Sequence, residues 1–141
     1  MRNSLLLLMG LLPASAAAQE ASAGGMTVID ENSVKRDEPT PHGRIGMSTA
    51  WRISDAVPGR NMEFRKRALH PGAAIGAHKL SHDEVYYVLS GRGQAFSGDR
   101  KVQVGPGQAV YFFTGETMGI RQQGSEPLVL IISYPLAERV K

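Results

Sequence analysis

Nine short β-prone runs, each closed by a turn rich in glycine, proline or polar residues, fill the chain from residue 46 to residue 134. They cover residues 46–51, 62–69, 75–80, 84–89, 93–97, 101–104, 109–113, 117–122 and 127–134. Between them stand breakers such as Pro58-Gly59, His70-Pro71-Gly72, Ser90-Gly91, Ser97-Gly98-Asp99 and Gly105-Pro106-Gly107. Glycine reaches the positive φ that tight turns need, and proline fixes φ while removing a backbone donor. No stretch keeps a 3.6-residue apolar period over a helix length. Many short strands joined by tight turns can bury their apolar faces only in a sandwich or a small barrel. The core is expected from Val85, Val88, Leu89, Phe96, Val102, Val110, Phe112 and the run 128–132.

The segments before this domain read differently. One basic residue, Arg2, precedes the apolar run 5–12 (LLLLMGLL), and Pro13, Ser15 and three alanines follow it. An eight-residue run is far short of the ~20 that span a bilayer. The layout is that of a secretory signal peptide over residues 1–18, cut after Ala18. The mature chain would then start at residue 19 in the periplasm or outside the cell, with no stable membrane insertion. With no cysteine, neither a disulfide nor a thiolate nucleophile is possible. Residues 19–45 are polar and proline-bearing and read as a flexible arm. Its one β-like patch, at residues 26–29, could pair with an edge or be exchanged with a partner. Residues 46–135 form the domain and 136–141 a short tail. Once Arg2 is removed, 15 basic side chains face 13 acidic ones. The only basic run, Arg65-Lys66-Arg67, lacks interleaved aromatics, so a nucleic-acid partner is not expected.

The chemistry concentrates in HPGAAIGAHKLSHDEVYYVLSGRG, residues 70–93. Gly72 is followed by His78, Leu80, Glu84 and Gly91 at the spacing Gly-five-His-one-X-three-Glu-six-Gly. Farther on, Gly107, Phe113, Gly115, Met118 and Gln122 repeat the spacing of a second motif. In these positions the chain resembles the cupin superfamily, whose first motif has a second histidine at the place of Leu80. The family's second motif has proline, histidine and asparagine at the places of Phe113, Met118 and Gln122. The resemblance implies an all-β fold, the small double-stranded β-helix or jelly-roll barrel, and a tendency to form homodimers. It also implies a divalent metal held by three histidines and a glutamate, of which His78 and Glu84 remain.

Residues two apart in a strand share a face, so His78 and Leu80 are expected to look into one cavity, with Glu84 facing it from the next strand. On this reading His78 and Glu84 are the catalytic pair, and Leu80, Tyr86, Phe113, Met118 and Gln122 line the pocket. A carboxylate beside an imidazole can move a proton near neutral pH. The first functional reading is therefore an exported cupin that binds a small molecule, sugar-acid-like or carbonyl-bearing, with metal-independent acid/base chemistry. The second is a metal-dependent isomerase, lyase or dioxygenase using His78, Glu84 and a substitute ligand, His82. The cofactor is thus either none or a divalent transition metal. Leu80 has no lone pair, and a Met118 thioether suits soft ions only. A third reading is a non-catalytic binding or accessory protein.

Each residue also has a plainer role. His78 and Glu84 could simply pair for local order. Met118 could be an ordinary apolar residue, and Gln122 an amide supporting a turn. His82 lies in the turn before Glu84 and is expected to face solvent. His42, in the arm, has nothing near it in sequence to suggest a role.

Overall fold

The structure, a computed structural model, describes residues 25–137; the proposed leader lies outside them. Ten strands follow one another: β1 Lys35–Pro39, β2 Met47–Trp51, β3 Met62–Leu69, β4 Ala74–Lys79, β5 Glu84–Ser90, β6 Arg92–Ser97, β7 Arg100–Val104, β8 Ala109–Phe112, β9 Thr117–Gln123 and β10 Leu128–Pro135. Two 3-10 turns, Glu31–Val34 and Ile53–Ala56, precede β1 and β3. The strands pair antiparallel into a six-stranded sheet, β1-β2-β3-β10-β5-β8, and a four-stranded sheet, β4-β9-β6-β7. The two form the expected jelly roll.

Turn chemistry explains why the sequence reading located the strands from β2 onward. Gly91 shows the requirement at its sharpest: φ is +78°, and a Cβ there would lie 2.1 Å from the Pro127 carbonyl oxygen. Any other side chain would push β10 away from the β5–β6 turn. In each sheet, alternate residues project inward, and Leu69, Ile75, Val88, Met118, Ile120, Leu128 and Leu130 meet in one hydrophobic core.

Three expectations need correction. The arm is not loose throughout: Lys35–Pro39 pairs with β2 from Lys35↔Trp51 to Pro39↔Met47. This strand is polar, and it is held by backbone pairing together with Glu38, which receives both Arg52 and Arg67. The patch at residues 26–29 belongs to no strand in the structure, and Met26 and Val28 are exposed. Several expected core residues are not in the core. Val85 and Leu89 lie on the outer face of the large sheet and Phe96 on that of the small one, while Val102 shares the inner face with its partner Ala95 but is exposed because edge strand β7 has no strand beyond it.

Candidate functional site

Glu84 opens β5, where Phe112 of β8 stands opposite it. Its residue is only 6% exposed, and its Oε2 is buried without a hydrogen-bond partner. Burial raises its pKa above the 4.5 of a free glutamate, while the nearby charges of His82 and His78 and the facing Tyr86 hydroxyl pull it back. A buried carboxylate that keeps its proton can both donate and accept a hydrogen bond. Tyr86, fully buried, packs edge-on against Phe112 at 5.3 Å. Burial, followed by the Glu84 charge, drives its pKa well above the usual phenol value, so its hydroxyl stays protonated.

His78 lies on β4 opposite Met118 of β9. The strand bulges between Ile75 and His78, so three residues of β4 span two of β9 and both side chains remain on one face. The His78 Nδ1 lies 2.9 Å from the Gly76 carbonyl oxygen. A carbonyl can only accept, so Nδ1 carries a proton, and in the neutral ring the lone pair lies on Nε2. One face of the ring is covered by His42, stacked at 3.5 Å and 6°. Burial, and then the proximity of His78, hold the His42 pKa below the usual value. The sequence reading gave His42 no role. Pro41-His42-Gly43 has the composition of a turn, but only the fold shows that this β1–β2 turn rests on β4. Gly76 makes that contact possible, since a Cβ there would lie 1.7 Å from the His42 carbonyl oxygen.

His82, expected in solvent, is half-buried and stacks on Tyr134 at 4.5 Å and 5°. The Arg65 guanidinium lies 5.9 Å from the same Tyr134 ring. The structure therefore groups Glu84 with Tyr86, His78, His82, Tyr134 and Arg65. Arg65 and Tyr134 were not singled out in the sequence, because a strand-borne arginine in an RKR run has the composition of a solvated face.

Other expected wall residues belong elsewhere. Leu80 and Met118 are 4% and 0% exposed and pack within the hydrophobic core. Phe113 is 65% exposed and leans on Tyr111 outside the barrel, because its place in the strand alternation is the outer one. Gln122 is buried but turned toward the loops. Its Oε1 accepts the Gly72 N–H at 2.8 Å, and its Nε2 lies within 3.1 Å of the carbonyls of Gln123, Gly124 and Glu126. It is a clamp on two turns, with no polar atom left for a ligand. A separate cleft of about 440 Å³ opens between β7 and β8 over Val102, Val104 and Val110, and it includes neither His78 nor Glu84.

The donor set can be tested against the metal that the cupin resemblance implies. Among the described residues, no group of three or more His, Asp, Glu or Cys side chains is placed to hold an ion. The positions that would complete a set around His78 and Glu84 are the core residues Leu80 and Met118, and His82 is engaged with Tyr134. These residues do not fit a divalent transition metal, which takes three or four hard or imidazole donors.

Comparison with known proteins agrees with the fold. Residues 66–134 match the Cupin_2 family, described as Cupin domain. The chain is 28% identical over 75 residues to an oxalate-binding protein of Thermotoga maritima, a match spanning 52% of this chain and 62% of that relative, under two thirds of its length. The crystal structure of a predicted oxalate decarboxylase from Thermotoga maritima superposes with a TM-score of 0.68 at 22% identity, covering 78% of this chain and 99% of that one. A cupin 2 conserved barrel domain protein from Rhodopseudomonas palustris gives 0.62 at 16% identity, over 76% of this chain and 74% of its own.

Proposed function

We propose, from the premise that this chain is a small cupin-2-like protein, that it binds a small carbonyl- or carboxyl-bearing molecule against Glu84. On this reading it exchanges a proton with that molecule through Glu84 and His78. It does so outside the cytoplasm, as a homodimer. The observation that carries the proposal is the buried, unpartnered Oε2 of Glu84. A buried polar atom without a partner costs roughly 1–3 kcal/mol, and a ligand oxygen or hydroxyl that meets it recovers that cost. Burial favours the protonated form of Glu84, and that form offers a donor and an acceptor side by side, the complement of a carboxyl group. The Nε2 lone pair of His78 supplies the base, and Arg65 lends positive charge nearby. The name of the Thermotoga relative points to the same ligand class.

The test is calorimetric titration of the purified protein with oxalate, a 2-oxo acid and a sugar acid. At least one should bind saturably, and Glu84→Leu, which keeps the volume and removes both polar oxygens, should weaken it at least tenfold, about 1.4 kcal/mol. No binding by any of the three, or binding untouched by Glu84→Leu, overturns the reading. Elemental analysis finding one tightly held ion per chain, lost in His78→Ala, would replace it with a metal-dependent one.

A further inference from the structure

The two sheets do not close against each other along every edge. β8 ends the large sheet and β7 ends the small one, and the loop 105–108 joins them where no ladder does. The cleft of about 440 Å³ lies between these two edge strands. Its walls are inner-face residues: Val102 and Val104 stand opposite Ala95 and Gly93 in register, and Val110 and Phe112 stand opposite Tyr86 and Glu84. Ala95, Val104 and Phe112 are buried, yet Val102 on the same face is 42% exposed. Packed sheets lie ~10 Å apart, and alanine and valine are too short to fill that gap to the density of a protein interior. The edge is left concave and apolar, with a volume inside the ~300–1,000 Å³ of small-molecule sites.

One end of the cleft is charged. Arg100 stands opposite Ser97 in register, and the Ser97 hydroxyl donates to the Glu116 carboxylate at 3.2 Å. Arg100 and Glu116 therefore flank one serine at the same end, and both line the cleft. Among the described residues neither takes part in an ion pair, with the other or with any third group. Gln103 and Gln108, which also line the cleft, are neutral amides.

We propose that this cleft binds a free α-amino acid with a large apolar side chain, such as leucine or phenylalanine. The ligand carboxylate meets the Arg100 guanidinium, its ammonium meets Glu116, and its side chain covers Val102, Val104 and Val110. A simple carboxylic acid would set its charge against Glu116, and a simple amine would set its charge against Arg100. Only a zwitterion complements both signs at once. The site is distinct from the Glu84 region, because Phe112 forms a wall between them: it lines the cleft and packs on Tyr86 at 5.3 Å.

The test is calorimetric titration of the purified protein with L-leucine and L-phenylalanine, and with 4-methylpentanoate and 3-methylbutylamine, which each keep one half of the leucine headgroup. At least one amino acid should bind saturably, and leucine should bind about tenfold tighter than either half-ligand. Val102→Trp, which fills the cleft from an exposed position, should weaken the amino acid about tenfold, and Arg100→Ala and Glu116→Gln about threefold each. Thermal melting identifies which variants remain folded, and the two exposed-charge variants decide alone where Val102→Trp does not. No saturable binding of either amino acid, or binding untouched by the folded variants, overturns the site. Half-ligands that bind as tightly as leucine overturn the zwitterion assignment. These ligands and variants are separate from those that test Glu84, so either proposal can fail without the other.

Discussion

Two glutamates on the inner face of one sheet, Glu63 and Glu84, are both almost inaccessible, at 2% and 6% exposure, yet they are opposites. Glu63 accepts hydrogen bonds from Ser54 at 2.7 Å, from Arg65 at 2.8 Å and from Arg60 at 3.1 and 3.2 Å. Burial alone would raise its pKa, but the Arg65 and Ser54 bonds and the Arg65 charge hold it below the free value. Glu84 has the burial with one oxygen left unpartnered and, among hydrogen bonds, only the facing Tyr86 hydroxyl to offset it, and its pKa rises. The two cases separate a carboxylate that the fold consumes from one that it leaves available.

Three measurements can break or sharpen that contrast. Glu63→Gln leaves Arg65 and Arg60 short of a counter-charge inside the sheet. It should cost about 3–5 kcal/mol in urea unfolding, the usual cost of breaking a buried ion pair. Glu84→Gln breaks no such set and removes a buried acid whose ionisation burial opposes, so at neutral pH it should shift stability by less than about 1 kcal/mol, toward the stable side. If the two variants cost the same, the contrast is false.

The smallest effect lies in the pH profile between about pH 3 and 8. For Glu63, and for Glu38 beside Arg67 and Arg52, the folded pKa is depressed. Their stabilisation is present above 4.5 and is lost as pH falls through the folded values. For Glu84 the folded pKa is raised, so its contribution is present below 4.5 and is lost as pH rises through the folded value. Glu84→Gln should therefore flatten the decline on the alkaline side of 4.5 and leave the acid limb intact. An acid limb that changes instead would place the perturbed carboxylate elsewhere.

The strands from β2 onward were legible because turns are local chemistry, written in the glycines and prolines between them. β1 was not, since KRDEP has no β composition and its order comes from β2 and two arginines distant in sequence. Val85 and Leu89 misled for another reason. In EVYYVLS both alternating sets are apolar, and periodicity cannot say which one faces the core when both faces of a sheet are hydrophobic. At the candidate site, motif spacing singled out Glu84 and His78, while Leu80 and Met118, expected in the pocket wall, pack in the core. Spacing could not foresee that Gln122 turns toward the loops. Nor could it bring in His42, Tyr134 and Arg65, which reach the site only through the hairpin tip and the β3–β10 pairing.

The bulge in β4 carries a consequence for how this protein can change. The tautomer of His78 is set by the main-chain oxygen of Gly76, and every residue type has that oxygen. Replacing side chains around the ring can tune its surroundings but cannot remove the acceptor that fixes the proton. The basic nitrogen is therefore secured by backbone geometry, and neighbouring positions other than Gly76, where a side chain would strike the His42 carbonyl, can diversify without losing it.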